Sequence, residues 1–376
     1  MKKVLFISCV EVVPWGGSEE LWHYIANRLL DKGYDLKIDR VHWNPVPTKL
    51  QQLMDRGAKV LYRPNYHIQR SKLDIAFKVK NRFFNNGLLR RLKGISADVL
   101  VISQGGTFDH YLFKIIPFLM STNIPFIIIS QHNPEVFYLS DTDREKIKRI
   151  FYKARKIYFV AKRNRQVVER LLATSLENAD IISNPIKIEQ SVSLPFPQDN
   201  CLKMACVARL DTFYKGQDVL LQVLSSDKWK VRSWELSLFG SGPHDKYLQE
   251  LVIFYGLEKK VFLRGHVDNL TDVWAQHHLL VLPSHSEGTP LALLEAAFCS
   301  RAAVVTDVGG NAEVVKDGVS GFIASASSVK ALDEALERAW SNRENLFQMG
   351  LEARKVVEQD IGYNNFDSIV EEILNA

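Results

Sequence analysis

A chain of 376 residues exceeds the usual size of one domain, so the sequence predicts two. A hydrophobic content of 46%, a charged fraction of 24% and a net charge of +5 are typical of a globular protein with a sizeable core. The four cysteines show no C-x-x-C spacing, so neither a zinc site nor a disulfide framework is indicated. No segment approaches the roughly 18 uninterrupted apolar residues of a membrane span, and we expect a soluble, cytoplasmic protein.

The chain begins with MKKVLFISCV, which superficially resembles a short signal peptide. Because Glu11 interrupts the apolar run and WGGSEELW follows it, a first buried strand is the better interpretation. Gly16 and Gly17 then precede a helical pattern that starts at Ser18, and paired glycines let the backbone approach a ligand closely. They are not a dinucleotide-binding fingerprint, because the G-x-G-x-x-G spacing is absent.

Four short apolar runs between helical patterns predict the buried parallel strands of a first βαβ domain. They cover residues 4–8, 98–103, 126–130 and 156–161. His132 follows the third run and precedes Asn133-Pro134. A histidine at the end of a strand is either structural or in polar contact with a ligand, and the residues leave both interpretations open.

Positive charge is concentrated in part of the first domain. Between His67 and Gly94 the chain has eight basic residues and one acid, Asp74; the basic residues are Arg70, Lys72, Lys78, Lys80, Arg82, Arg90, Arg91 and Lys93. Phenylalanines are interleaved with them, and a second basic run covers residues 144–170. This pattern suits an anionic membrane surface or a phosphorylated acceptor, and a solvated helix face is the alternative. No nucleic-acid-binding motif accompanies it.

No metal site is predicted. Asp141-Thr142-Asp143 resembles a D-x-D metal motif, but Thr142 and Glu145 have the spacing of a capping box that opens a helix. His277 and His278 lie in a helix-to-strand turn without accompanying ligands, so we expect them on the surface.

A second set of apolar runs predicts another parallel sheet, over residues 202–208, 235–240, 261–265, 279–283 and 302–307. We expect domains at 1–185 and 201–354, a proline-rich linker at 186–200 and a helix-like tail at 355–376. The predicted fold is α/β, with two doubly wound parallel-sheet domains facing a cleft. Since ligands gather at the carboxyl ends of such strands, the following residues should surround one crevice: Gly16, Gly17, His132, Arg209, Gly242 and Glu287.

The segment 284–295, SHSEGTPLALLE, places two carboxylates, Glu287 and Glu295, around a step that should open a helix. Pro290 suits the first helical turn, and the apolar run from Leu291 fits a buried helix. The first-turn amides of such a helix form an anion site. Two acids at different depths beside an anion site suit a nucleotide sugar, with one carboxylate on the sugar hydroxyls and the other on the ribose.

Two cations flank a loop upstream of this segment. Arg209 and Lys215 stand on either side of a strand-to-helix loop that Gly216 closes. A nucleoside diphosphate leaving group gains negative charge as its bond to the sugar breaks, and cations aimed at it stabilise that charge. A solvated surface pair is the alternative. The glycines of FGSGP (239–243) lack the third glycine of a dinucleotide site, so a nicotinamide dehydrogenase is poorly supported.

Five motifs in order make the C-terminal half similar to the retaining glycosyltransferases of family 4, which have the GT-B fold. They are ACVARLDTFYKGQDVLL (205–221), LFGSGP (238–243), VFLRGHV (261–267), PSHSEGTPLALLEA (283–296) and VVTDVGGNAEVVKDGVSGFI (304–323).

The resemblance implies roles for individual residues. Arg209 and Lys215 would grip the donor diphosphate in place of a metal, Glu287 would orient the donor sugar, and Glu295 would hold the ribose. His132 would contact the donor sugar or the acceptor. The remaining donor-binding positions are Gly16, Gly17, Gly242, Gly288, Thr289, Pro290 and Leu291. The base would rest on backbone near Arg264 to Val267, Glu313 would be a donor contact or a helix cap, and the tail would cross back onto the first domain.

Some positions depart from the family's pattern. Five residues separate Arg209 from Lys215 where many relatives have four. Ser300-Arg301-Ala302 replaces a common Gly-x-Pro turn, and Asn184-Pro185 stands where relatives often have Asn-Gly. None of these changes removes a charged position.

The sequence thus predicts a metal-independent, cofactor-free retaining transferase that moves a hexose from a nucleotide sugar to an acceptor hydroxyl, in glycan or glycolipid assembly. The acceptor would be a sugar, a glycan or a lipid-linked molecule, with possible contact to the inner face of an anionic membrane and none to nucleic acid. The alternatives are a nucleotide-sugar epimerase or hydrolase of the same fold, and a non-catalytic scaffold that binds nucleotide sugars. Donor base, donor sugar and oligomeric state leave no signature in these motifs.

Overall fold

The computed structural model describes residues 2–65, 87–186, 188, 194–362 and 366–375. The chain divides into two compact units: unit 1 comprises Met1–Asn184 and Asn365–Ala376, and unit 2 comprises Pro185–Asn364. The sequence placed the second boundary at 355, whereas the helical residues up to 362 belong to unit 2, because Val357 packs into the core of that unit.

A seven-stranded parallel sheet forms the centre of unit 1, in the order β3-β2-β1-β4-β5-β6-β7. Its strands are β1 (Lys3–Ser8), β2 (Asp35–Val41), β3 (Lys59–Arg63), β4 (Val99–Gly106), β5 (Phe126–His132), β6 (Lys156–Phe159) and β7 (Ala179–Ile181). The strand order reverses between β1 and β4, which pair from Val4 with Val99 to Ser8 with Ser103. Ligands of doubly wound sheets bind at the carboxyl ends of the strands beside such a switch point.

Helices cover both faces of this sheet. They are α1 (Gly17–Asp31), α2 (Thr48–Asp55), α3 (described over 87–93), α4 (His110–Ser121), α5 (Asp141–Lys153), α6 (Lys162–Leu172) and α16 (Asp367–Asn375). One apolar core lies between the sheet and α1, α2 and α16, and another lies between the sheet and α3 to α6. Because both faces are covered, the central strands are apolar along their whole length.

Helix α16 is far from the rest of unit 1 in sequence but belongs to its core. Ile369, Val370 and Ile373 are buried there. The ring centroids of Tyr24 and Phe366 are 4.6 Å apart, and the Lys2 ammonium donates to the Leu374 carbonyl at 2.6 Å.

The predicted capping box at Thr142 is wrong. Helix α5 begins at Asp141, and the Ser140 hydroxyl caps it by accepting the Asp143 N–H at 3.2 Å. Asp143 points to Lys146, whose ammonium lies 2.9 Å away and lowers the pKa of that carboxyl. Most of the first basic run, including Arg70, Lys72, Lys78, Lys80 and Arg82, lies outside the described residues.

Unit 2 contains a six-stranded parallel sheet in the order β10-β9-β8-β11-β12-β13. Its strands are β8 (Leu202–Val207), β9 (Trp234–Phe239), β10 (Val261–Gly265), β11 (Leu279–Leu282), β12 (Ala302–Thr306) and β13 (Gly321–Ala324). The order reverses between β8 and β11, so the loops after these two strands flank the switch point of unit 2. The predicted fold of two doubly wound parallel-sheet domains is confirmed.

The helices of unit 2 connect these strands. They are α7 (Thr212–Lys215), α8 (Gln217–Leu224), α9 (Asp227–Lys230), α10 (Asp245–Phe254), α11 (Leu270–Gln276), α12 (Leu291–Phe298), α13 (Asn311–Val314), α14 (Val329–Ser341) and α15 (Leu346–Lys355). A 3₁₀ turn (Arg343–Asn345) precedes α15, and a π-helical segment (Val356–Gly362) follows it. Across the described part of the chain, no helix is long and apolar enough to span a bilayer.

The prediction that His277 and His278 lie on the surface is wrong. Both are buried, and burial lowers the pKa of each imidazole. His277 Nδ1 lies 2.7 Å from the Val273 carbonyl, and His278 Nδ1 accepts the Lys203 N–H at 3.0 Å. The fully buried guanidinium of Arg301 donates nearby to the carbonyls of His277 and Pro195. The Nδ1 atoms of both histidines and the Arg301 guanidinium therefore have partners inside the core, which is the condition for burying polar groups.

Candidate functional site

The loop after β8 carries Arg209. Backbone pairing between β8 and β9 continues into the loops that follow these strands. Ala208 N–H donates to the Phe239 carbonyl, and Leu210 N–H donates to the Ser241 carbonyl. The Arg209 side chain between them is 39% exposed, and its Nη1 lies 3.7 Å from the Asp211 carboxylate. The backbone at Arg209 is therefore fixed while its guanidinium faces solvent.

Gly216 fixes the position of Lys215 through a close backbone contact. Helix α7 is one turn long, ends at Lys215, and is followed by Gly216 with φ of +61°. A Cβ at this glycine would stand 2.2 Å from the Pro283 carbonyl oxygen at the end of β11. Such an approach is possible only without a side chain, so the loops after β8 and β11 meet here backbone to backbone.

Lys215 and Glu287 form an ion pair at 2.6 Å. The Ser284 hydroxyl donates to the same carboxylate oxygen at 2.7 Å. The Glu287 side chain is only 6% exposed and that of Lys215 23%. Two residues expected to hold different parts of a donor are thus in direct contact, with a buried carboxylate fixed by a cation and a hydroxyl.

The loop that carries Glu287 is held by its neighbours. From α7, the Tyr214 carbonyl accepts the His285 N–H at 2.9 Å, and from β12 the Thr306 hydroxyl donates to the Ser284 carbonyl at 2.6 Å. Gly310 N–H donates to the Gly288 carbonyl at 2.7 Å. A Cβ at Gly309, whose φ is +52°, would stand 2.2 Å from the Glu287 carbonyl oxygen. The predicted glycine turn after β12 therefore packs directly under the carboxylate loop.

Helix α12 starts at Leu291, and Pro290 is its N-terminal flanking residue. The predicted position of Pro290 in the first turn is thus shifted by one residue. Gly288 and Thr289 precede it and are buried. Glu295 is in the second turn and is 2% exposed. Glu287 therefore lies before the helix and Glu295 one turn inside it, and both side chains are buried.

A second glycine loop packs on the Arg209 loop. Gly240 has φ of +132°, and a Cβ there would stand 2.0 Å from the Ala208 carbonyl oxygen. A Cβ at Gly242 would stand 2.2 Å from the Leu210 carbonyl oxygen. The glycines of FGSGP therefore serve close backbone contact with the segment around Arg209, a partner that their spacing alone does not reveal.

Three predicted site residues belong to unit 1. Gly16 is the N-cap of α1 and Gly17 its first residue. Gly16 has extended backbone, and a Cβ there would be in ordinary contact with its surroundings, so packing does not require a glycine. His132 ends β5 and its carbonyl accepts the Thr107 N–H at 2.8 Å. The structure gathers Arg209, Lys215 and Glu287 in unit 2 and places these three at the strand ends of unit 1.

A buried charged network at the strand ends of unit 1 was missed by the sequence analysis. Arg63 donates to Asp39 at 2.6 Å and to the Ser8 carbonyl at 2.5 Å, and Arg91 lies 2.8 Å from the other oxygen of Asp39. Glu19 accepts the Ser8 hydroxyl at 3.1 Å, and burial raises the pKa of this carboxyl. The available signal was the pair of charged residues, Asp39 and Arg40, that closes the second strand.

Asp109 stands beside this network. Its carboxylate accepts the Gly105 N–H at 2.7 Å and the Gly106 N–H at 3.0 Å. Burial, opposed by these two bonds and assisted by the charges of Glu19 and Glu11, raises the pKa of Asp109 to about 7. A carboxyl that changes charge near neutrality thus lies at the switch point of unit 1.

Among the residues that the structure describes, no three or more histidine, cysteine, aspartate or glutamate side chains are grouped to hold a metal ion.

Comparison with known proteins shows a similarity to one family over part of the chain. Residues 193–356 match the family described as glycosyl transferases group 1. An uncharacterized glycosyltransferase of Haemophilus influenzae is 24% identical over 394 aligned residues, which cover 99% of each chain. An exopolysaccharide phosphotransferase of Streptomyces coelicolor is 36% identical over 124 residues, which cover 32% of this chain and 13% of that protein.

The fold has close counterparts among solved structures. Anabaena HepE in complex with UDP and glucose superposes with a TM-score of 0.76 over 100% of both chains, at 16% identity. At this identity the likeness shows the fold, which is the GT-B fold.

Proposed function

Because residues 193–356 match the group 1 glycosyl transferases and the chain has the GT-B fold, we propose that it moves a hexose from a nucleoside-diphosphate sugar to an acceptor hydroxyl. The transfer would retain configuration at the anomeric carbon and need no metal. The observation that carries the proposal is the Lys215–Glu287 pair, held by glycine-locked loops beside Arg209.

Lys215 and Arg209 would take the place of a metal at the leaving diphosphate. An ammonium has three N–H donors, so the contact with Glu287 leaves capacity for phosphate oxygens. The guanidinium of Arg209, 39% exposed, presents a planar fork that suits the same group. The backbone amides at the start of α12, beginning with Leu291, would add partial positive charge. Groups fixed in advance around a developing charge stabilise a transition state without reorganisation.

The acids would recognise the sugar and the ribose. Glu287 would orient the donor sugar and hold Lys215 in register, and Glu295, deeper in α12, would hold the ribose. In unit 1, Gly16 and Gly17 would contribute to donor binding, and His132 would contact the donor sugar or the acceptor. The acceptor hydroxyl would attack the face that the phosphate leaves, and the phosphate would take its proton, so that no enzyme nucleophile is required.

We further propose a sugar, glycan or lipid-linked acceptor and peripheral contact with an anionic membrane. The second basic run supports membrane contact, since α6 carries Lys162, Arg163, Arg165 and Arg170 against one acid, Glu169. Val136 and Tyr138, in the loop before α5, are 92% and 87% exposed and could enter a lipid interface.

Ligand binding tests the donor site first. A thermal-shift panel with UDP, GDP, ADP, TDP and their sugar conjugates should show stabilisation by one nucleotide, unchanged by EDTA. Loss of the shift in EDTA would contradict metal independence. No shift with any nucleotide would favour the scaffold alternative. Consumption of donor without any acceptor would favour the epimerase or hydrolase.

Substitution tests the named residues. Lys215→Met and Glu287→Gln should each lower turnover at least about 100-fold, by analogy with the loss of one oxyanion donor. Lys355→Met is the matched control, because Lys355 forms an exposed pair with Glu352 at 2.8 Å in α15, and it should leave turnover unchanged. Near-normal turnover of either site variant would remove that residue from the mechanism.

A further inference from the structure

His244 connects the two loops that surround Arg209. It follows the second glycine loop and precedes α10. Its backbone N–H donates to the Leu210 carbonyl at 3.1 Å. Its side-chain Nδ1 accepts the Thr212 N–H at 2.9 Å and lies 2.9 Å from the Thr212 hydroxyl. One residue thus binds the loop after β8 through both its backbone and its ring.

The Thr212 N–H is the first amide of α7, and a helix does not satisfy its own first amides. A side chain at the N-cap position usually accepts such a bond, but the N-cap residue Asp211 makes no side-chain cap hydrogen bond. His244 supplies the acceptor from another loop. A helix of one turn is not stable alone, so α7 depends on contacts of this kind.

Lys215 is at the other end of that turn. The contacts run from His244 to Thr212, through α7 to Lys215, and from Lys215 to Glu287. Gly216 holds the C-terminal end of α7 and His244 holds the N-terminal end. We propose that His244 is a positioning residue, which fixes the loop of Arg209 and Lys215 for the diphosphate of the donor. This inference rests on the proposed donor site.

The geometry also specifies which atom matters. A backbone N–H can only donate, so Nδ1 is the acceptor and the ring proton is on Nε2. The Oδ1 of asparagine is attached to Cγ, as Nδ1 is, whereas the Oε1 of glutamine is one atom further out. His244→Asn should therefore keep the bond, and His244→Gln should lose it.

The experiment measures, by calorimetry, the dissociation constants of UDP, GDP, ADP and TDP and of their four nucleosides. In His244→Gln the dissociation constant of the nucleoside diphosphate that binds should rise at least about fivefold. This is the change expected when the partly buried Thr212 N–H loses its hydrogen-bond acceptor. In His244→Asn it should stay within about twofold of the unaltered protein. Nucleoside binding should not change in either, because the loop that His244 fixes is proposed to hold the diphosphate and not the base. In turnover assays the Gln variant should raise the KM of the donor more than it lowers kcat.

A substitution of Thr212, the donor in the hydrogen bond to His244, distinguishes loss of this bond from misfolding. Proline has no N–H and is favoured in the first helical turn, so Thr212→Pro removes the donor while suiting the start of α7. It should weaken diphosphate binding as His244→Gln does, and the double variant should be no weaker than either single one. Ser140→Ala, which removes the cap of α5 in unit 1, should lower the melting temperature and leave diphosphate binding unchanged.

Equal diphosphate affinity in the Gln variant and the unaltered protein would overturn the inference. So would equal losses in the Asn and Gln variants, or a parallel loss of nucleoside binding. If the unaltered protein bound none of the four nucleoside diphosphates, the proposed donor site would fail together with the inference. That result differs from a loss of binding confined to the His244 variants.

Discussion

Replacement of Gly216 by alanine tests the close contact that fixes Lys215. Gly216 has φ of +61°, and an added Cβ would stand 2.2 Å from the Pro283 carbonyl oxygen and 2.8 Å from the Ser327 hydroxyl. Ser327 itself donates to the Pro283 carbonyl at 2.5 Å, so these two neighbours are bonded to each other. The added methyl therefore meets backbone and a fixed hydroxyl, and relief requires α7 to move away from the end of β11.

Two costs add at this position. A residue other than glycine in the left-handed region costs about 1–2 kcal/mol. Forcing a methyl into a packed site costs a further 1–3 kcal/mol, roughly. Gly256 is the matched control, because its φ is +65° and nothing lies within 4 Å of an added Cβ. Gly256→Ala should show only the first cost, so the difference between the two variants isolates the contact with Pro283.

Thermal unfolding measures the difference. For a unit of this size 1 kcal/mol shifts the melting temperature by about 2–4 °C, so Gly216→Ala should melt roughly 2–12 °C below Gly256→Ala. Because α7 must move, Gly216→Ala should also weaken nucleoside diphosphate binding, while Gly256→Ala should not. Equal melting temperatures together with unchanged diphosphate affinity would refute the reasoning that the contact at Gly216 fixes Lys215.

Two further predictions concern unit 1. The pKa of Asp109 is raised to about 7 in the folded protein. Between pH 4 and 7 the folded chain therefore holds a proton that the unfolded chain has released. Because of this difference, the free energy of unfolding falls as pH rises through this range. Asp109→Asn cannot titrate, so its melting temperature relative to that of the unaltered protein should rise from pH 4 to 7. Because Asp109 is partly exposed, the rise should correspond to only about 1–2 kcal/mol of unfolding free energy. A difference in melting temperature that stays constant with pH would contradict the raised pKa. Charge reversal at Lys78, Lys80 and Arg90, which leaves the Arg91–Asp39 pair intact, should abolish sedimentation with anionic vesicles, with neutral vesicles as the control. Retained sedimentation would remove the membrane proposal.

The sequence predicted the glycines of unit 2 but not the atoms they approach. Gly216 and Gly242 are recognisable as turn residues from their neighbours in the chain. Their partners, the carbonyls of Pro283 and Leu210, are set by the order of strands in the sheet. The same holds for the Lys215–Glu287 pair, because nothing in either motif indicates that α7 packs on the end of β11.

Buried polar residues explain the other differences. The second strand, DLKIDRV, contains four charged residues among seven, and apolar periodicity did not identify it. Its Asp39 is buried because Arg63 and Arg91 both reach it. His277 is buried for the same kind of reason, since its ring and its carbonyl both have partners. A pattern that treats charge as exposed misses groups whose partners come from distant segments.

The place of α16 in unit 1 has a consequence during synthesis. Unit 1 starts to emerge from the ribosome first, but Ile369 and Ile373, which complete one of its cores, are made only after all of unit 2. At 5–20 residues per second this delay is roughly 10–40 s. Throughout it, the apolar surface of α1 around Tyr24 lacks its cover. The nascent protein is therefore expected to pass through a state in which this apolar surface is exposed and available to a chaperone.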